Sequence, residues 1–315
     1  MSTYKVLFIT GIENFSISLN LGRGEKIQNL FITNDSTVIN SLITPQFSHI
    51  AGALEAAYLK KAGAVIYSME TCNSFPDETT ARNYLTQQLG RVRLFLQMLW
   101  LVKDNAANVE LGFIEYPYKA TFSSVSRTFF SSVYTNFIGT SDAVTFSRDE
   151  LRKARHLFKD NFTNEVVLDY QVAWGKGSRF DRALYFLQAA RLSSDVGVKI
   201  TNYSTAFESL FSTDAQELSH KLSERIACFL EIDSESRKQL FKELKKSYSI
   251  RSKVVHGAAG SKNSERSAKE AVKLCDETLR RCLLKILEYE ALQNRFARPT
   301  NEGDMESYFL SLVLG

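Results

Sequence analysis

The sequence predicts an α+β protein in which a strand-rich, mixed amino-terminal domain is followed by an all-α helical bundle. Three observations carry this. Short β-branched and aromatic runs, spaced by turn residues, fill the first third of the chain. From Ser147 onward the apolar residues recur at helical spacing instead. Between the two regimes lies a Gly/Lys-containing stretch, Asn161 to Ser178 with Trp174-Gly175-Lys176-Gly177, that reads as a linker. The expected organisation is a mixed domain over residues 1–160, a linker over 161–178, a helical domain over 179–297 and a tail over 298–315.

Taken in order, Tyr4–Thr10, Phe15–Leu21, Gln28–Thr33, Gly63–Tyr67 and Val109–Tyr118 read as strands. Leu21-Gly22-Arg23-Gly24-Glu25-Lys26 has the look of a phosphate loop but lacks its Gly-Lys-Ser/Thr ending, and is expected to be a hairpin turn. A helix is predicted over Thr79–Asp104, where Leu85, Leu89, Val92, Leu96, Leu99 and Val102 recur every three or four residues. The Ser- and Phe-rich segment Thr121–Phe137 fits one or two further strands, whose Phe129, Phe130, Tyr134 and Phe137 suit a sheet core. Ser147 and Glu150 form a capping-box pattern that opens a helix reaching about Lys159, with Arg148–Lys159 a solvated face.

Helices follow at Phe180–Ser194, Ile200–Phe211, Ala215–Leu230, Ser234–His256 and Ser264–Phe296. In the last, Ala268, Val272, Cys275, Leu279, Cys282, Ile286 and Tyr289 make one stripe, as a bundle helix requires.

Composition narrows the functional classes. With 44% hydrophobic residues, 23% charged and four prolines, the chain is globular rather than disordered. A net charge of +4 permits an RNA partner without arguing for one. The start, MSTYKVLFITG, lacks the pattern of a signal peptide, and Leu94–Val102 is half the length of a membrane span, so a cytoplasmic protein with no membrane partner is expected. Cys72, Cys228, Cys275 and Cys282 include no Cys-x-x-Cys pair and read as reduced residues. Neither a metal nor a cofactor is expected, which suits a chain whose His49, His156 and His220 are scattered without ligand spacing.

The stretch Ser247–Gly257, SYSIRSKVVHG, carries the chemistry. On a continuous helix Leu240, Leu244, Tyr248 and Val255 fall within roughly 80° of one another, and Arg251 lands in the middle of that apolar face. An unpaired guanidinium there is costly, so it demands a partner. His256 lies about 140° from Arg251, one and a half turns on, and Gly257 follows where a helix would stop. In a last turn the exposed carbonyls favour the protonated ring and hold its titration near neutral pH, the range useful for proton transfer.

Arg251, four intervening residues, His256 and Gly257 resemble the signature of HEPN domains. The blocks FESLF (Phe207–Phe211), LSERIACFL (Leu222–Leu230) and YSIRSKVVHG (Tyr248–Gly257) are similar to the Apea-like HEPN family in particular, over about Arg179–Phe296. The resemblance implies a metal-independent RNA endonuclease, a toxin-like effector in anti-phage defence, that dimerises through this domain. Its RNA substrate would be cut by attack of its own 2′-hydroxyl, leaving a 2′,3′-cyclic phosphate. His256 would transfer protons and Arg251 would stabilise the phosphoryl oxygens. Ser252 fits the pattern and could orient either group. Glu208 stands where the family's first bundle helix carries an acid and would pair with Arg251. Lys253, Lys245 and Lys246 would meet RNA phosphates. Nucleotide transfer onto a tyrosine two residues after the histidine is not expected, because Ala258 stands there. The amino-terminal domain would sense a trigger or a regulatory partner, or restrain the nuclease. The alternative is a non-catalytic HEPN module that binds a nucleotide or protein, with Arg251 and His256 as ligands or structure.

Overall fold

A computed structural model describes residues 4–73, 77–118, 122–129, 133–161, 177–214, 218–255, 262–298 and 301–315. The chain is mixed α+β, with an antiparallel sheet in the amino-terminal part and helices in the carboxy-terminal part. It divides into two compact units: Met1–Tyr134 with Ser141–Glu165, and Thr135–Thr140 with Val166–Gly315.

In the first unit β1 (Tyr4–Ile12), β3 (Glu25–Ile27), β4 (Leu30–Thr33), β5 (Ala64–Cys72), β6 (Leu111–Tyr118) and β7 (Phe122–Phe129) form a six-stranded sheet, ordered β3-β4-β5-β1-β6-β7. Every neighbouring pair is antiparallel. Strand alternation sends Leu7, Ile9, Val65 and Phe113 to one face, where they pack on α1 (Ser36–Leu42), α2 (Pro45–Ala51) and α3 (Ala53–Lys61) through Ile39, Leu42, Phe47 and Leu59. The opposite face, with Phe8, Ile66 and Ile114, takes α4 (Glu78–Val102); Tyr84 meets Ser68 at 3.2 Å and Leu89 fills the space over Gly112. Two short strands, β2 (Phe15–Ile17) and β8 (Val144–Phe146), pair in parallel.

Several sequence expectations change here. The Gly22/Gly24 segment is a turn, with both glycines at positive φ, but it leads into β3 and joins no hairpin. The hairpin lies at Gln28–Asn29 between β3 and β4, with Gln28 at φ 54°. The three helices α1–α3 had no counterpart in the periodicity. Helix α5 (Arg148–Asn161) opens with the reciprocal Ser147–Glu150 bonds, 2.7 and 3.2 Å. Its charged face is not merely solvated: Arg148 and Arg155 each reach buried Glu25 at 2.6 Å. Burial raises the Glu25 pKa, but bonds to the two guanidiniums outweigh it and leave the carboxyl below its ordinary value. Tyr134 is buried; the Phe129 side chain and Phe130 lie outside the described residues.

The second unit contains α6 (Arg179–Arg191), α7 (Val196–Phe211), α8 (Leu218–Leu230), α9 (Ser234–Val255), α10 (Lys262–Glu288), α11 (Glu290–Phe296) and α12 (Glu302–Leu314). Residues 162–176 of the expected linker lie outside the described residues; Ser178 caps α6 in a capping box with Asp181. Thr135 joins this unit by donating from its amide to the Arg191 carbonyl at 2.7 Å. Two buried arginines close the carboxy-terminal end of α7. Arg179 donates to the Ser212 carbonyl at 2.6 Å, and Arg225 to the Phe211 carbonyl at 2.6 Å, satisfying acceptors that the last helical turn leaves open.

The single helix expected over Ser264–Phe296 breaks at Tyr289, which takes an extended conformation and is 57% exposed. The break folds α11 back so that Phe296 joins Phe211, Phe229 and Phe309 in one aromatic cluster. Phe309 belongs to α12, a helix where the sequence suggested only a tail, anchored by buried Met305 and Phe309. Cys275 and Cys282 are free and buried, and Cys228 and Cys72 are free and partly buried.

Candidate functional site

The site forms where α9 lies against α7. Helix α9 starts at Asp233, whose carboxylate accepts from the Ser236 amide at 2.9 Å, and buries Leu240, Leu244 and Ser247. Tyr248 and Arg251 continue this face half-buried, with 28% of the Arg251 side chain exposed. Val255 was expected on the same face and is 51% exposed. At this last described turn the packing is made on another side of the helix, by Val254 lying over Gly197 of α7.

Glu208, on the last turn of α7, faces this stripe. Its Oε1 accepts a short hydrogen bond from the Tyr248 hydroxyl. The same oxygen stands 4.0 Å from Arg251 Nη2, the outer limit of an ion pair. The Arg251 guanidinium carbon lies 5.7 Å from the centre of the Tyr248 ring, and its Nε is buried with no hydrogen-bond partner among the described residues. Burial, reinforced by the Glu208 carboxylate, pushes the Tyr248 phenol well above its ordinary value, so it stays a donor at neutral pH.

Chemically, this is a guanidinium held loosely. Tyr248 takes the close place on Glu208 and leaves Arg251 near the carboxylate without a bidentate pair, so guanidinium N–H groups remain for another anion.

The structure thus brings together Glu208 and Arg251, with Tyr248 between them. Ser252, Lys245, Lys246 and Lys253 are exposed on other faces of α9, and Lys245 Nζ lies 5.6 Å over the Phe241 ring. His256, Gly257 and Ala258 lie outside the described residues. Sequence reasoning placed Tyr248 on the apolar face and missed its role toward Glu208. The available signal was a hydroxyl three residues before Arg251, on the same side of the helix.

Among the described residues no group of three or more His, Cys, Asp or Glu is placed to hold a metal ion, and no helix is long and apolar enough to cross a membrane. The chain matches no protein-family model, no curated protein and no solved structure.

Proposed function

We propose that the chain is a HEPN-type, metal-independent RNA endonuclease of the Apea-like kind, acting as a toxin-like effector in anti-phage defence. The observation that carries this reading is Arg251: an inward-facing guanidinium on α9, kept in place by Glu208 and Tyr248 yet not saturated by them, with His256 next beyond the helix's last described residue. In the reaction the substrate's 2′-oxygen bonds to phosphorus as the P–O5′ bond breaks. One proton leaves the 2′-hydroxyl and one reaches O5′, and His256 serves this transfer. Arg251 stabilises the charge that gathers on the phosphoryl oxygens, a task that suits its planar fork. The expected dimer sets two such motifs facing each other across a symmetric helix interface.

The test is purified protein with mixed cellular RNA in EDTA, beside His256→Ala and Arg251→Ala. Cleavage by the wild type with 2′,3′-cyclic phosphate ends, reduced by about 100-fold or more in each variant, is expected. Ends of the 3′-hydroxyl type, or cleavage indifferent to His256, overturn the mechanism. Light scattering checks the dimer. The Glu208–Tyr248 hold on Arg251 also favours a second reading, a non-catalytic HEPN module that binds a nucleotide or protein. Wild-type protein that binds RNA or nucleotide and cuts nothing selects it.

A further inference from the structure

Charge in this chain is concentrated on one helix. Helix α9, residues 234–255, holds seven of the 39 Lys and Arg and two of the 35 Asp and Glu, so the remaining chain has 32 basic and 33 acidic residues. The surplus is sorted by face. Lys238, Lys242, Lys245, Lys246 and Lys253, with Ser249 and Ser252, fall within about 120° on α9, and all are exposed. From Lys238 to Lys253 the stripe runs about 22 Å at 1.5 Å per residue.

Glu235 pairs with Lys238 at 2.7 Å at its start. Among the described residues Lys242, Lys245, Lys246 and Lys253 form no ion pair. The two flanks differ. Toward α10 the groove is lined by Glu243, Glu270 and Glu277 together with Lys246 and Lys273, so its charge is mixed. Toward α8 lies Phe241, half-buried, with His220 edge-on at 5.1 Å and Lys245 Nζ 5.6 Å from its ring centre; the carboxylate of Glu224 is also on α8, half-buried.

We propose that the outer face of α9 is a track for single-stranded RNA, with phosphates on Lys242, Lys245, Lys246 and Lys253 and an unstacked base against Phe241 and His220. An unpaired cation row with an aromatic beside it suits a strand whose bases are free to stack. The inference rests on the ribonuclease reading and places a flank of the substrate strand on this face, because Arg251, which meets the reacting phosphate in that reading, lies on the opposite side of α9. Its test reads binding rather than cleavage.

The experiment is fluorescence anisotropy of a labelled 2′-O-methyl oligoribonucleotide, which lacks the attacking hydroxyl, with the full chain in EDTA over a salt series. Replacing the four lysines by Gln makes the log K against log salt slope shallower by about 2.8, at about 0.7 per single-strand phosphate contact. Between 50 and 200 mM salt the wild type then loses about 50-fold more affinity than the variant. Phe241→Leu weakens binding about 5- to 150-fold without changing the slope. Lys60→Gln/Lys61→Gln, exposed on α3, leaves both unchanged.

An unchanged slope in the quadruple variant, folded by circular dichroism, overturns the track. So does polyglutamate of matched length displacing the strand as well as RNA does. Cleavage that survives with lysine-independent binding sinks this inference alone. Lysine-dependent binding without cleavage sinks the ribonuclease reading alone.

Discussion

Replacing Tyr248 by Phe tests whether Glu208 and Arg251 are held as the structure shows. The substitution keeps the ring beneath the guanidinium and removes only the hydroxyl that donates to Glu208. A hydrogen bond to a charged acceptor contributes about 1.5–3 kcal/mol. Glu208 and Arg251 keep 23% and 28% side-chain exposure, so water replaces part of it and a net loss of about 1–2 kcal/mol is expected. For a unit of this size that lowers Tm by about 2–8 °C.

Glu208→Gln, made alone and with Tyr248→Phe, completes a double-mutant cycle with a coupling of about 1 kcal/mol. Urea unfolding followed by far-UV circular dichroism measures all four proteins. The cycle also predicts activity: without Tyr248 on Oε1, Arg251 moves onto Glu208, and RNA cleavage falls by about 10- to 100-fold. A Tyr248→Phe protein within about 0.3 kcal/mol of wild type, with no coupling to Glu208, refutes the arrangement.

Three further outcomes probe the scaffold. Burial pushes the Cys275 thiol up to about 12 and raises Cys282 further, against about 8.5 in an unfolded chain. With folded values raised, this stability is intact below about pH 8.5 and is lost as pH rises toward the folded values, by about 1.4 kcal/mol per pH unit per thiol. Urea melts from about pH 8 to 11 should show this decline, and Cys275→Ala/Cys282→Ala should flatten it. Gly63→Ala sets a Cβ 1.7 Å from the Phe15 carbonyl oxygen and should destabilise the protein by about 3 kcal/mol or more, read as a lowered midpoint in urea unfolding. Arg179→Met strips the cap from α7 and should cost about 2–4 kcal/mol, whereas Glu302→Gln, at a carboxylate that is 65% exposed, should cost less than about 1; equal costs in urea melts reject the capping role.

How legible this was in the sequence depends on how long each pattern persists. Helix α4 repeats its apolar spacing over 25 residues and was plain. Helices α1 to α3 run for seven to nine residues, too few for a period to stand out. Their caps were nonetheless written in the chain: Asp35 accepts from the Thr37 and Val38 amides, and Thr44 precedes Pro45 and accepts from Phe47. The break at Tyr289 left no local mark, since neither Gly nor Pro stands there; the attraction of Phe296 to the aromatic cluster decides it. At the site, helical geometry placed Arg251 inward and the family resemblance singled out Glu208. Val255 was misplaced because a helical wheel does not say on which side the neighbouring helix packs at the final turn.

Helix α9 assigns a different task to each side, and that division carries a cost. Lys238, Lys242 and Lys246 stand four residues apart on one exposed face, and like charges at this spacing weaken a helix. Among the described residues only Lys238 of the three has a carboxylate partner, Glu235. Cooperative packing through Leu240, Leu244 and Ser247 must therefore hold the helix against its own charge. A repulsion left uncompensated inside the protein is relieved by whatever anion binds the face. Two linked effects follow. Lys242→Gln/Lys246→Gln should raise Tm slightly at low ionic strength, an advantage that disappears near 1 M salt, where screening falls to about 3 Å. Saturating 2′-O-methyl RNA should raise the Tm of the wild type more than that of the variant, because a ligand stabilises the folded state in proportion to its affinity. Differential scanning fluorimetry at two salt concentrations, with and without the oligonucleotide, reads both. A variant no more stable at low salt, and stabilised by RNA as much as the wild type, removes the link between the basic stripe and the strand it is proposed to bind.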